Sequence, residues 1–156
     1  MVLGSQARSQ ARRSGGDLNT QEMATGLLQE ASFRLEALRR SQEKGQWSYT
    51  VRLAQECVEL ALKATLRFCG IEPPKWHDVG TILTENQDRL PLNLRERLVE
   101  IKDISAKLRK EREVSMYGDE VLGLPPSRLY SESEATQAAQ WAEFIYDLAE
   151  QIIAHQ

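Results

Sequence analysis

Histidine and cysteine are scarce in this chain: 156 residues hold two of each. His77 has no cysteine or second histidine near it, which argues against a zinc site. Cys57 and Cys69 lie twelve positions apart on one expected helix. That is about 18 Å of helical rise, too far for a disulfide within the helix. They read as buried free thiols of a reducing cytosol. No run of about 18 apolar residues occurs, so no transmembrane helix is expected. The start Met1-Val2-Leu3-Gly4-Ser5 lacks the apolar core of a secretory signal. The expected location is the cytoplasm. Phosphate-binding GxxxxGK[ST] loops, GxSxG elbows and metal-ligand spacings are missing, and no cofactor is expected. No stretch alternates as a strand would, and no internal repeat is evident.

What is present is an ordinary globular composition, 41% apolar and 28% charged. The length suits one domain with one core. The net charge of −3 is unevenly spread. Near the start, Arg8, Arg12 and Arg13 face Asp17 alone, so the remainder is more acidic than the total. Residues 1–18 show no apolar periodicity and carry Ser14-Gly15-Gly16. They are expected to be a disordered tail, with one helical domain over 19–156. An acidic body argues against tight duplex binding, since phosphate contacts dominate nucleic-acid affinity. A local basic groove remains compatible with it.

The periodicity predicts an all-α, up-and-down bundle of four longer helices and one short one. A first helix is expected from about Thr20 to Lys44, with Met23, Leu27, Phe33, Leu35 and Leu38 on its apolar face and Gly45 closing it. The second, from about Gln46 to Cys69, is apolar over more than half its circumference and should be central. Gly70 and Pro73-Pro74 end it. Asp78 is placed to cap a short third helix carrying Val79, Ile82 and Leu83. The fourth is expected from Pro91 to about Met116, on the stripe Leu94, Leu98, Ile101, Ser105, Leu108, Arg112 and Ser115. Gly118 stops it. The last begins at Ser131 or Ser133, with Glu134 as capping-box partner of Ser131.

Arg112 is the anomaly on the fourth stripe, because arginine is rarely buried without a partner. Either the apolar face has ended there, or Arg112 faces a cleft or subunit interface and pairs with an acid. On the second helix Gln55, Glu59 and Lys63 share one face, and Glu59 precedes Lys63 at the favourable i, i+4 spacing. That pattern gives one helical salt bridge, or places Glu56 or Glu59 opposite Arg112. Glu111 and Glu113 read as a solvated face. Trp141 and Tyr146 read as core or interface residues. His77 reads as packing the turn with Trp76.

The order of these features resembles the HEPN family, the nucleotide-binding domain of higher eukaryotes and prokaryotes. A long buried helix over Trp47–Ala64 is followed by the turn Pro73-Pro74-Lys75-Trp76-His77-Asp78 and then by Arg109 to Asp119. The resemblance spans about residues 20–154. RNase members of the family carry an arginine, four to six residues, and a histidine late in a long helix. Here Arg112 is followed by four residues and then Tyr117. The arginine suits a developing phosphorane charge. A phenol, with an ordinary pKa of about 10, is a poor base at neutral pH.

The resemblance therefore implies a non-catalytic nucleotide- or RNA-binding module. Its cleft candidates are Arg109, Arg112, Tyr117, Glu56 and Glu59. It also implies a homodimer in which the motif helices of two subunits form one cleft. A minimal nucleotidyltransferase is the implied partner, in a toxin–antitoxin-like pair. The alternative is an active metal-independent RNase with altered chemistry.

Overall fold

The computed structural model describes residues 2–73, 75 and 78–155, with side chains given from Asn19 onward. The expected packing of His77 with Trp76 lies outside the described residues, as do the side chains of the expected tail. Among the described residues all regular elements are helical. The chain runs α1 (Val2–Glu43), α2 (Trp47–Phe68), α3 (Val79–Glu85), α4 (Leu92–Arg95), α5 (Leu98–Lys110), α6 (Val114–Tyr117) and α7 (Glu132–Ala154). Single 3-10 turns lie at Gln87–Arg89 and Pro126–Arg128.

α2 is the central element, as its wide apolar surface predicts. It packs on α1 and α7, and also on α3, α5 and α6. Its residues Ala54, Cys57, Ala61, Leu62 and Leu66 are at most 1% exposed. Full burial of one Leu-sized side chain contributes roughly 1.5–3 kcal/mol. Burial also pushes the Cys57 thiol up to about 12, so it stays protonated and unreactive at neutral pH. Cys57 and Cys69 are both free thiols.

The α1 face differs in part from the expected one. Met23 and Phe33 are about half exposed. Leu35 and Leu38 are buried as expected and Leu27 packs against the core, and the full seam is Ala24, Leu28, Ala31, Leu35 and Leu38, a strict four–three alternation. The alanines let α1 lie close on α2, and Met23 and Phe33 fall outside the contact. α7 uses the same device with Ala135, Ala138, Ala142, Ile145, Ala149 and Ile152. Arg39 of α1 and Glu143 of α7 pair at 2.7 Å over the outside of that contact.

α1 begins at Val2 rather than near Thr20, while the expected stops and caps that follow are in place. At Gly45 (φ +68°) the amides of Gly45 and Gln46 return to the carbonyls of Gln42 and Ser41, which is the Schellman closure. Asp78 caps α3 by accepting the Gly80 amide at 3.0 Å. Of the two candidate serines, Ser131 caps α7, accepting the Glu134 amide at 3.2 Å. The expected fourth helix is the exception. It is divided into α4, α5 and α6 by turns at 96–97 and 111–113.

Candidate functional site

α5 turns Leu98, Ile101, Ile104, Ser105 and Leu108 inward, against α2 and α3. Beyond Leu108 the sequence Arg109-Lys110-Glu111-Arg112-Glu113 has nothing apolar to bury, and the helix loses its regular bonding. The amides of Glu111 and Arg112 drop to three-residue bonds with Leu108 (3.0 Å) and Arg109 (3.2 Å). Regular bonding resumes with Ser115, whose amide reaches the Glu111 carbonyl at 2.9 Å. Arg112 therefore sits on a bend at the edge of the bundle, its side chain 65% exposed. Both alternatives for Arg112 are partly met: the apolar face has ended, and a cleft with an acid lies beside it.

That acid is Glu59. Its Oε1 lies 3.9 Å from Arg112 Nη1 and 3.1 Å from Lys63 Nζ. Gln55 Nε2 donates to Glu59 Oε2 at 3.0 Å. Burial alone would raise the Glu59 carboxyl, but the Gln55 hydrogen bond and the Lys63 and Arg112 charges hold it below its ordinary range. Glu59 is thus an anion already well held by α2 itself, and Arg112 is its outermost partner. One turn earlier, Arg109 Nη1 stands 4.0 Å from Asp78 Oδ1, the oxygen that caps α3.

Arg109 and Arg112 line one depression together with Gln55, Glu59, Lys75 and Ser105. Its volume of about 90 Å³ gives room for a phosphate group. A second, wider groove of about 330 Å³ shares Gln55, Glu59 and Arg112 and adds Arg34, Arg52, Glu56 and Lys63. Four cations face two carboxylates there, so the acidic body does carry a local basic groove. Planar guanidinium forks match phosphate oxygens bidentately. At 3.9 Å the Glu59 ion pair lies beyond hydrogen-bond range of the Arg112 fork.

Of the cleft candidates, Arg109, Arg112 and Glu59 are brought together. Glu56 lines only the wider groove. Tyr117 is 66% exposed and lines neither depression. Glu111 turns away from the cleft and accepts the Tyr130 hydroxyl at 2.6 Å. Lys75, Ser105 and the second duty of Asp78 were not legible as cleft residues. Asp78 had a sufficient local role as a cap, and Arg34 and Arg52 arrive from positions that only packing brings near Arg112. Among the described residues no three His, Cys, Asp or Glu gather as metal ligands. No described helix is long and apolar enough to cross a membrane.

Comparison with known families gives one match, a HEPN domain model aligned to residues 24–152. Neither curated proteins nor solved structures give a match. The aligned span takes in the α1 seam from Ala24, the central α2, the bend that carries Arg112, and α7 to Ile152. With that span matched and every regular element among the described residues helical, the chain belongs to the HEPN domain family.

Proposed function

We propose that this protein is a non-catalytic HEPN module that binds nucleotide or RNA through phosphate, at the cleft of Arg109 and Arg112. The observation that carries the reading is the Arg112 guanidinium: exposed, on a bend, and loosely held by a carboxylate that has nearer partners. An incoming phosphate can engage that fork without stripping Glu59 of its support. The residue at the family's histidine position is Tyr117, which stands outside both depressions. A ligand phosphate at Arg112 would lie beside Glu59 rather than Tyr117, and that carboxylate is already engaged by Gln55 and Lys63.

The family resemblance supplies the rest of the proposal: a homodimer, and a minimal nucleotidyltransferase as partner in a toxin–antitoxin-like pair. Exposed apolar side chains beside the motif, Met116, Tyr117, Val121 and Leu122, favour a subunit contact there. A stable dimer should bury more than about 1,200 Å² in total. Light scattering should return twice the chain mass, and a monomer mass at every concentration would remove the dimer from the proposal.

The test of the chemistry is incubation of the purified protein with single-stranded RNA in the absence of divalent metal. The expected result is intact RNA. Metal-independent cleavage abolished by Arg112→Ala would establish the RNase alternative instead.

A further inference from the structure

The bend that carries Arg112 is held from behind. Its first residue, Glu111, accepts a hydrogen bond from the Tyr130 hydroxyl at 2.6 Å, across nineteen positions of chain. The intervening segment is itself closed. Gly118 takes φ +83°, and a Cβ there would stand 2.2 Å from the Leu124 carbonyl oxygen. Asp119 and Leu124 exchange backbone bonds at 2.9 and 3.0 Å. Asp119 Oδ1 accepts the amides of Val121 and Leu122, each at 3.0 Å. The turn Pro126–Arg128 then packs back on α6 and delivers Tyr130, half-buried against the core.

We infer that Tyr130 and Glu111 are a positioning pair for Arg112. Their hydrogen bond closes a ring of chain around the 111–113 bend and fixes the direction in which the arginine leaves it. Neighbouring residues of a helical turn point about 100° apart, so a brace on Glu111 leaves Arg112 free to face the cleft. The brace matters because the amides of Glu111 and Arg112 make only the short-range bonds of a tightened turn, and the side chains of the bend are charged. Burial, the bond to Glu111 and the nearby Glu111 and Glu134 charges all raise the Tyr130 phenol, so it remains a donor through the neutral range. The role assigned to Arg112 rests on the phosphate-binding reading above, whereas the brace itself does not.

Two readouts separate them. Tyr130→Phe keeps the ring and removes the donor, and Glu111→Ala removes the acceptor. Amide hydrogen exchange at Arg112 to Tyr117 should quicken about two- to tenfold in both, the range of one net hydrogen bond. α2 should be unchanged. Glu111→Gln, which keeps a carbonyl acceptor, should restore most of the protection even if Glu111→Ala folds poorly. Unchanged exchange at the bend in Tyr130→Phe would overturn the brace, whatever the ligand does.

Binding of a short labelled oligoadenylate is the second readout. Tyr130→Phe should weaken it about two- to tenfold. In an Arg112→Ala background, Tyr130→Phe should add nothing. Weakening by Arg112→Ala with none by Tyr130→Phe would refute the positioning role alone. No effect of Arg112→Ala would refute the phosphate-binding reading, and the exchange result would still decide the brace. Additive losses in the double variant would show Tyr130 acting on the ligand by another route.

Discussion

α2 and the segment 92–117 both place apolar residues at helical spacing, yet one is a continuous helix and the other is three pieces. α2 has neighbours on several sides, and twelve of its residues are buried. The later segment is buried on one stripe, and past Leu108 that stripe offers only Arg112 and Ser115. Helical spacing keeps a stripe in register, but packing on that stripe keeps the helix continuous. Where packing lapses, a charged bend appears, and the bend is where the loosely paired Arg112 guanidinium sits. The continuous helix supplies the fixed anion, Glu59, and the broken one supplies the loosely held cation.

The contrast is sharpest in core truncation. Leu62→Ala in α2, at a 1% exposed position, should cost about 3 kcal/mol by denaturant titration. Val99→Ala in α5, at an 86% exposed position, should stay within about 0.5 kcal/mol. Similar costs at the two sites would erase the difference between the regions. Next in size is the end of the broken segment. Gly118→Ala would force a left-handed φ and a close contact with Leu124. About 1–3 kcal/mol of stability should be lost, and wild-type stability in that variant would show that the 118–124 loop relaxes freely.

The junction of the two regions should show in acid. The Glu59 carboxyl is held below its ordinary value of 4.5. Its contribution is therefore complete above that value and is lost as pH falls through the lower folded one. Tm should fall less steeply below about pH 4.5 in Glu59→Gln than in the wild type. Parallel curves would mean that Gln55, Lys63 and Arg112 do not stabilise this anion. The smallest effect is expected outside both regions. Deleting residues 1–18 should leave Tm nearly unchanged, because few apolar residues there can offset ordering entropy. A fall of several degrees would show that the segment packs on the domain.

Much of this architecture is readable in the chain, for identifiable reasons. The centrality of α2 follows from its wide apolar surface, and Gly45, Gly70, Asp78 and Ser131 announce ends that need special backbone or a capping oxygen. On α1 the expected Leu35 and Leu38 are in the seam, but Met23 and Phe33 are not, because Ala24 and Ala31 set the spacing of the seam by being small. The break at 111–113 was hidden because Arg, Lys and Glu are good helix formers, and only missing tertiary contacts reveal it. Nothing in Glu96-Arg97 announces the other break. Arg112 stood out as a charge on an apolar stripe. The choice of Glu59 over Glu56 needed the packing of α5 on α2, because the two residues are adjacent and both lie near the right height.

The central claim is that the cation on the broken segment binds phosphate, and one titration tests it most directly. Affinity for a short labelled oligoadenylate should be measured across a salt series for the wild type, Arg112→Ala and Arg112→Lys, with dimer mass checked for each. The account predicts weak binding that falls as salt rises. It predicts further weakening in both variants at unchanged mass and Tm, because lysine keeps the charge but not the planar fork. Equal affinity and salt dependence in all three proteins would contradict it and move the ligand site away from Arg112.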